Sequence, residues 1–146
     1  MAKGASISGF PEWLPSERVV EQRVIDTLRK VFELNGFIGI ETRAVETGAS
    51  LLKKGETSKE IYLLSRLQEV GHESDTPIEE RLGLHFDLTV PLSRYVVEHS
   101  GALAFPFKRW QIQKVWRGER PQEGRFREFV QADIDVIGAG DLPDHY

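Results

Sequence analysis

The sequence contains no cysteine, which excludes disulfide staples, thiolate metal sites and cysteine nucleophiles, and leaves a reducing compartment permitted. It also lacks any run approaching the roughly 20 apolar residues of a membrane span. The opening MAKGASISGFPEWL carries one lysine but no unbroken apolar stretch of about seven residues, so it does not read as a secretory signal. A cytoplasmic location is the expectation. Nor is there an excess of positive charge. Lys and Arg number 19 against 23 Asp and Glu, for a net charge of −4, and neutralising phosphates along a nucleic acid calls for the opposite balance. Any nucleic-acid role must be local. The four histidines, His72, His85, His99 and His145, are scattered without ligand spacing, which argues against a protein-held metal.

What is present is ordinary globular material: 146 residues, 40% hydrophobic and 29% charged, enough for one domain over residues 1–146. No repeat or low-complexity tract divides it. Val20, Val24, Leu28 and Val31 recur at helical spacing, with Ser16 as a cap and Gly36 as a stop, predicting a helix over 17–35. Residues 37–45 and 61–65 read as short strands, 48–59 as a loop with one possible helical turn, and the acidic stretch 68–81 as an exposed connection. A strand is expected at 82–86. Thr89 is the expected cap of a helix to His99, with Pro91 in its first turn, Leu92, Tyr95 and Val96 on the core side and Gly101 at its end.

Residues 107–137 carry most of the information. Two strand-like runs flank the loop GERPQEGR and predict a long β-hairpin. In the second run Phe126, Val130, Ala132, Ile134 and Val136 alternate with Arg127, Phe129, Gln131, Asp133 and Asp135; in the first, Trp110, Ile112 and Trp116 alternate with Arg109, Gln111, Gln113 and Arg117, while Lys114 and Val115 break the rule. Period two predicts an apolar side on a core and a polar side away from it. The polar side could simply meet water. Two details favour a ligand. Arg117, Arg120, Arg125 and Arg127 crowd the loop with guanidinium forks suited to phosphate oxygens, and Phe129 puts a ring on the polar side where a planar base could stack. From the residues alone the hairpin either cradles ATP or inserts a basic loop into nucleic acid. Seven of the 19 basic residues lie between Lys108 and Arg127, yet Glu119, Glu123 and Glu128 interleave with them and favour a compact site with donors and acceptors.

The segment WRGERPQEGRFREFVQADIDVIG resembles motif 2 of class II aminoacyl-tRNA synthetases in its histidyl form. LHFDLTVPLSRY resembles the substrate-binding segment of the histidyl family, and ISGFPEWLP its N-terminal segment. The resemblance runs from about Ser6 to the end and implies an α+β fold, an antiparallel β-sheet flanked by helices, here an incomplete class II catalytic core with motifs 1 and 2. Motif 3 and the anticodon-binding domain of the family have no counterpart in these residues. The implied activity belongs to protein biosynthesis: ATP-dependent activation of L-histidine to histidyl-adenylate, then transfer to tRNA(His) by a homodimer. Mg²⁺ would accompany ATP, and the 146 residues alone are expected to turn over poorly.

Carried over residue by residue, the resemblance implies that Arg117 meets the α-phosphate of ATP and the histidine carboxylate, the one catalytic role among these residues. Glu119 and Phe129 would hold adenine and Arg125 the terminal phosphates. Asp87, Leu88 and Thr89, together with Arg117 and Gln131, would take the histidine backbone, with Asp135 beside the imidazole. Taken singly, Asp87 reads as a helix start, Asp135 as a solvated charge and Gln131 as a surface residue. In register with the loop they read as a site.

The sequence also departs from the family. Arg43 stands where motif 1 carries its interface proline, His85 and Phe86 stand where the family usually has Arg-Pro or Arg-Tyr, which removes one arginine, and the stretch 68–81 is long. Without further strands the sheet is expected to leave an unpaired edge. The alternative implied activity is that of the synthetase-like regulatory subunit of ATP phosphoribosyltransferase, a binding module in histidine biosynthesis. A regulator has no need of a triphosphate clamp.

Overall fold

A turn of helix begins where the chain leaves Pro15, whose fixed φ suits the first helical position and whose missing N–H would be unsatisfied there anyway. In the computed structural model, which describes residues 6–53, 59–69, 76–138 and 140, helix α1 runs Pro15–Leu34. Ser16 therefore lies inside the first turn and is not the cap. The Glu17 carboxylate instead accepts from the Leu14 N–H at 2.9 Å. At the other end Gly36, with φ of 77°, closes the helix: its N–H donates to Glu33 O and that of Phe37 to Phe32 O, each at 3.0 Å. That double closure needs a left-handed residue, which glycine supplies.

The hairpin forms as its alternation predicts. Strands β4 (Phe107–Trp116) and β5 (Glu128–Ile137) pair antiparallel over ten residues each, from Phe107↔Ile137 to Trp116↔Glu128. The third member of this sheet is β1 (Ile38–Gly39), which lies parallel to β4. The sheet is thus mixed rather than wholly antiparallel, and the expected strand over 37–45 splits. Its first part joins β4 as β1. Its last residue opens β2 (Val45–Thr47), which pairs antiparallel with β3 (Leu82–Leu84) in a second, two-stranded sheet. Residues 61–65 contribute a single bridge, Leu63↔Gly83, in place of a full strand.

Thr47 accepts from the Ser50 N–H and starts the short helix α2 (Gly48–Leu52), the one helical turn expected in that loop. Helix α3 spans Thr89–His99. Its cap is not Thr89: Asp87 Oδ1 accepts from the N–H groups of Thr89 and Val90 at 3.2 and 3.3 Å, because an aspartate two residues earlier reaches the same orphan donors with a charged acceptor. Leu92 is buried as expected, and Tyr95 and Val96 are half-buried. The acidic residues at 70–75 lie outside the described residues, as do His72 and His145. No helix among the described residues is long and apolar enough to cross a membrane.

Burial departs from the alternation. Leu51, Phe86, Leu88, Leu92, Phe107 and Val115 form the apolar core, but Arg109, Gln111, Glu46 and His85 are just as buried. The apolar side of the hairpin, facing α1, is only half-covered. Val24 and Ile134 remain 55% and 47% exposed, and a cleft of about 850 Å³ runs between Val24, Ile25 and Leu28 of the helix and Ile112, Val130 and Ala132 of the strands. The side expected to lie away from the core is the more tightly closed one along β4.

Candidate active site

At the loop end of the hairpin the ladder continues one step beyond the strands, with the Arg117 N–H donating to Arg127 O at 2.8 Å. Gln122 and Arg125 exchange two backbone hydrogen bonds across the tip, where Gly124 sits at φ of 73°, a turn geometry that favours glycine. Two neighbours, Glu60 and Gly9, then fix the loop. Gly118 N–H donates to Glu60 O at 2.8 Å, and the N–H groups of Arg127 and Glu128 both donate to Gly9 O, at 2.7 and 3.0 Å. The Arg127 Nε donates to the Glu119 carbonyl at 2.9 Å, and Arg125 pairs with the Glu119 carboxylate. Gly9 has φ of 86°, and a Cβ there would come within 2.8 Å of Arg127 Cγ. The N-terminal segment is therefore built into the loop.

Arg117 sits where three parts of the chain meet. Its Nε donates to Phe86 O at 3.0 Å, and its guanidinium carbon lies 5.0 Å from the centre of the Phe129 ring, within cation–π range. The neighbouring Trp116 N–H donates to His85 O at 3.1 Å, while His85 Nε2 lies 2.7 Å from Lys114 O. These bonds hold residues 85–88 against the end of β4, so Asp87 and Leu88 are brought beside Arg117. Asp87 is 4% exposed and Leu88 fully buried. Thr89 is exposed at the head of α3.

The register places the remaining candidates on one face. Val115 lies opposite Phe129, Gln113 opposite Gln131, Gln111 opposite Asp133 and Arg109 opposite Asp135. Arg117, Phe129, Gln131 and Asp135 thus share a side. Along β4 this side is sealed by Thr42, whose Oγ1 accepts from Gln111 Nε2 at 2.8 Å and whose carbonyl accepts from Gln113 Nε2 at 2.7 Å. Along β5 it stays open: Gln131, Asp133 and Asp135 are half-exposed. Gln131 Nε2 donates to Asp133 at 2.9 Å, and its Oε1 has no hydrogen-bond partner among the described residues.

Charge is arranged in two pairs. The hydrogen bond from Arg125 holds the Glu119 carboxyl below the usual glutamate range, and its own pKa is raised in return. Arg109 is pushed down by burial, opposed by the carboxylates of Asp135 and Asp133, and it forms an ion pair with Asp135. Among the described residues no group of three His, Asp or Glu side chains could hold a metal ion.

The structure therefore brings together Asp87, Leu88, Arg117, Glu119, Arg125, Phe129, Gln131 and Asp135 around one end and one face of the hairpin, with Thr89 at the rim. Sequence reasoning missed Thr42, Gly9 and Arg109. Gly9 had a signal in its place between Ser8 and Phe10 just before a proline, but Thr42 and Arg109 act through contacts that no local pattern encodes.

No family model matches the chain. A histidine–tRNA ligase of Bifidobacterium animalis subsp. lactis is 92% identical over 146 residues, covering all of this chain and 31% of the relative. One from Micrococcus luteus is 64% identical over 153 aligned residues, again covering the whole chain and 33% of the relative. The chain thus spans about a third of the length of the curated relatives it matches. The crystal structure of histidyl-tRNA synthetase from Nostoc sp. PCC 7120 superimposes with a TM-score of 0.79 at 44% identity, over 97% of this chain and 30% of that one. In sequence and in fold, this chain belongs to the histidyl-tRNA synthetase family of class II aminoacyl-tRNA synthetases.

Proposed function

We propose that these residues supply the ATP and histidine grip of a histidine–tRNA ligase, as the part of its catalytic domain that carries motifs 1 and 2. The reaction is activation of L-histidine by ATP to histidyl-adenylate, with release of pyrophosphate, followed by transfer to tRNA(His). One observation carries the reading: Arg117 lies over Phe129 on the face that also bears Gln131 and Asp135. A ring for the base, a guanidinium for the phosphate and polar groups for the amino acid then follow one another along a single strand pair.

The chemistry needs clamps more than it needs a base. As the histidine carboxylate attacks the α-phosphorus and pyrophosphate leaves, negative charge builds on the phosphoryl oxygens, and a fixed guanidinium stabilises it in place. Arg117 suits that task because its Nε is already engaged by Phe86 O, leaving the terminal nitrogens to meet the ligand. Adenine stacks on Phe129, with Glu119 taking its amino group. Arg125 exchanges Glu119 for the terminal phosphates, and any Mg²⁺ arrives with ATP. Asp87 and Thr89 receive the α-ammonium with Gln131, and Asp135 faces the imidazole. The intact ligase works as a cytoplasmic homodimer. Relatives named histidine–tRNA ligase at 92% and 64% identity favour this reading over the regulatory subunit of ATP phosphoribosyltransferase.

Histidine-dependent exchange of pyrophosphate into ATP tests it. A ligase of full family length carrying this segment should show exchange with histidine and not with other amino acids, while the 146 residues alone should show little. Absence of histidine-dependent exchange in the full-length protein sinks the proposal.

A further inference from the structure

Arg109 heads the fully buried side chains of the described residues by volume, at 0% exposure. A guanidinium sealed from water is costly unless its charge is met. The groups that face it are Asp135, its cross-strand partner and ion pair, Asp133 two pairs along, and Gln111 Oε1 at 3.4 Å. Its Nε has no partner among the described residues, so the arrangement is not saturated as a purely structural strut would be. The pair is also lopsided. The cation is covered, whereas the Asp135 carboxylate keeps 44% of its side-chain surface exposed, on the face that carries Gln131 and Phe129.

We infer that Arg109 is a positioning residue for amino-acid selection, fixing the Asp135 carboxylate so that it reads the ring N–H of the substrate's imidazole. The inference rests on the proposed histidine site and deepens it. Arg109 engages Asp135 through Oδ2, which leaves Oδ1 as the acceptor for a ring N–H. The buried charge keeps that carboxylate in one place without itself touching substrate. Recognition by a held acceptor rejects a ring of the same shape that has no N–H, because the acceptor is then left without its donor.

The test uses pyrophosphate exchange by a full-length ligase carrying this segment, with histidine or thienylalanine as the amino acid. Arg109→Met should raise the KM for histidine tenfold or more, leave the KM for ATP within twofold, and shrink the preference for histidine over thienylalanine at least tenfold. Arg109→Lys should recover part of both effects, and Arg109→Met combined with Asp135→Asn should be no worse than Asp135→Asn alone. If both KM values move together, if the preference is unchanged, or if the two losses multiply, Arg109 is only a strut and the inference falls. Should Arg109→Met fail to fold, Arg109→Lys decides by the same two readouts. A wild-type enzyme without histidine-dependent exchange would instead refute the functional proposal, a separable outcome.

Discussion

The two faces of the β4/β5 hairpin invert what their side chains suggest. The polar face is closed along β4, where Arg109 and Gln111 are fully buried, while the apolar face under α1 leaves a cleft and half-exposes Ile134. The difference shows what decides burial here. Gln111 and Gln113 are covered because Thr42 supplies matching donors and acceptors, and a satisfied amide costs little to bury whereas an orphaned one costs about 1–3 kcal/mol. Apolar area, by contrast, gains only as far as a neighbour reaches it, at roughly 25 cal/mol per Å². Helix α1 reaches only part of the way.

The largest effect that would break this comparison is on chemistry. Arg117→Ala should lower histidine-dependent exchange by about 10²–10³-fold, the usual loss when one preorganised charge-stabilising donor is removed. Its thermal stability should change little, since the Nε bond to Phe86 O is one neutral-acceptor contact. Equal losses of activity and stability would mean that the loop end is structural. Next comes Gln111→Leu on the sealed side. The apolar side chain fits by volume but abandons Thr42 Oγ1 and Gln113 Oε1, so chemical denaturation should report about 2–3 kcal/mol of lost stability. A neutral outcome would show that water replaces the amide and that the face is not sealed.

The comparison also marks what could be read in advance. The hairpin and its polar face were legible because period two holds over most of both runs, Lys114 and Val115 apart, and the tip carries a glycine where φ is positive. Helix α1 was legible from its spacing and Gly36, although its start was misplaced because Glu17, not Ser16, satisfies the first turn. The site residues were legible as a set, through the motif that joins them. Strand β1 was not, being two residues long and parallel to a strand some 70 positions away. Nor was the seal on the polar face. Thr42 reaches Gln111 and Gln113 across 69 and 71 positions, and periodicity within a strand says nothing about which distant segment will cover it.

A smaller effect sharpens the contrast at the loop end, where Glu128 joins the faces' shared edge by accepting from Lys114 Nζ at 2.6 Å and Trp116 Nε1 at 2.8 Å. Burial pushes the Glu128 pKa up, but the bonds from Lys114 and Trp116 outweigh it and the net shift is down. A depressed carboxylate stabilises the fold above its unfolded pKa of about 4.3, and that contribution disappears as pH falls through the lower folded value. Glu128→Gln should therefore lower Tm at pH 7, by an amount equivalent to about 1 kcal/mol, and the gap from wild type should narrow at pH 3. A gap that stays constant with pH would mean that the carboxylate contributes no charge-dependent stability.

The smallest expected effect belongs to the open face. Ile134 lies opposite Trp110 on the apolar side and is 47% exposed, on a strand that pairs with one neighbour among the described residues. If apolar burial there is as slight as its exposure indicates, Ile134→Ser should shift stability by no more than about 0.5 kcal/mol, the range of ordinary surface substitutions. Such a result beside a loss of 2–3 kcal/mol for Gln111→Leu would establish that, in this hairpin, the polar face carries more of the folding free energy than the apolar one. A loss of 2 kcal/mol or more at Ile134, measured by denaturation across a range of protein concentrations, would reverse that order; if the loss appeared only at high concentration, the missing cover would be a second molecule rather than α1.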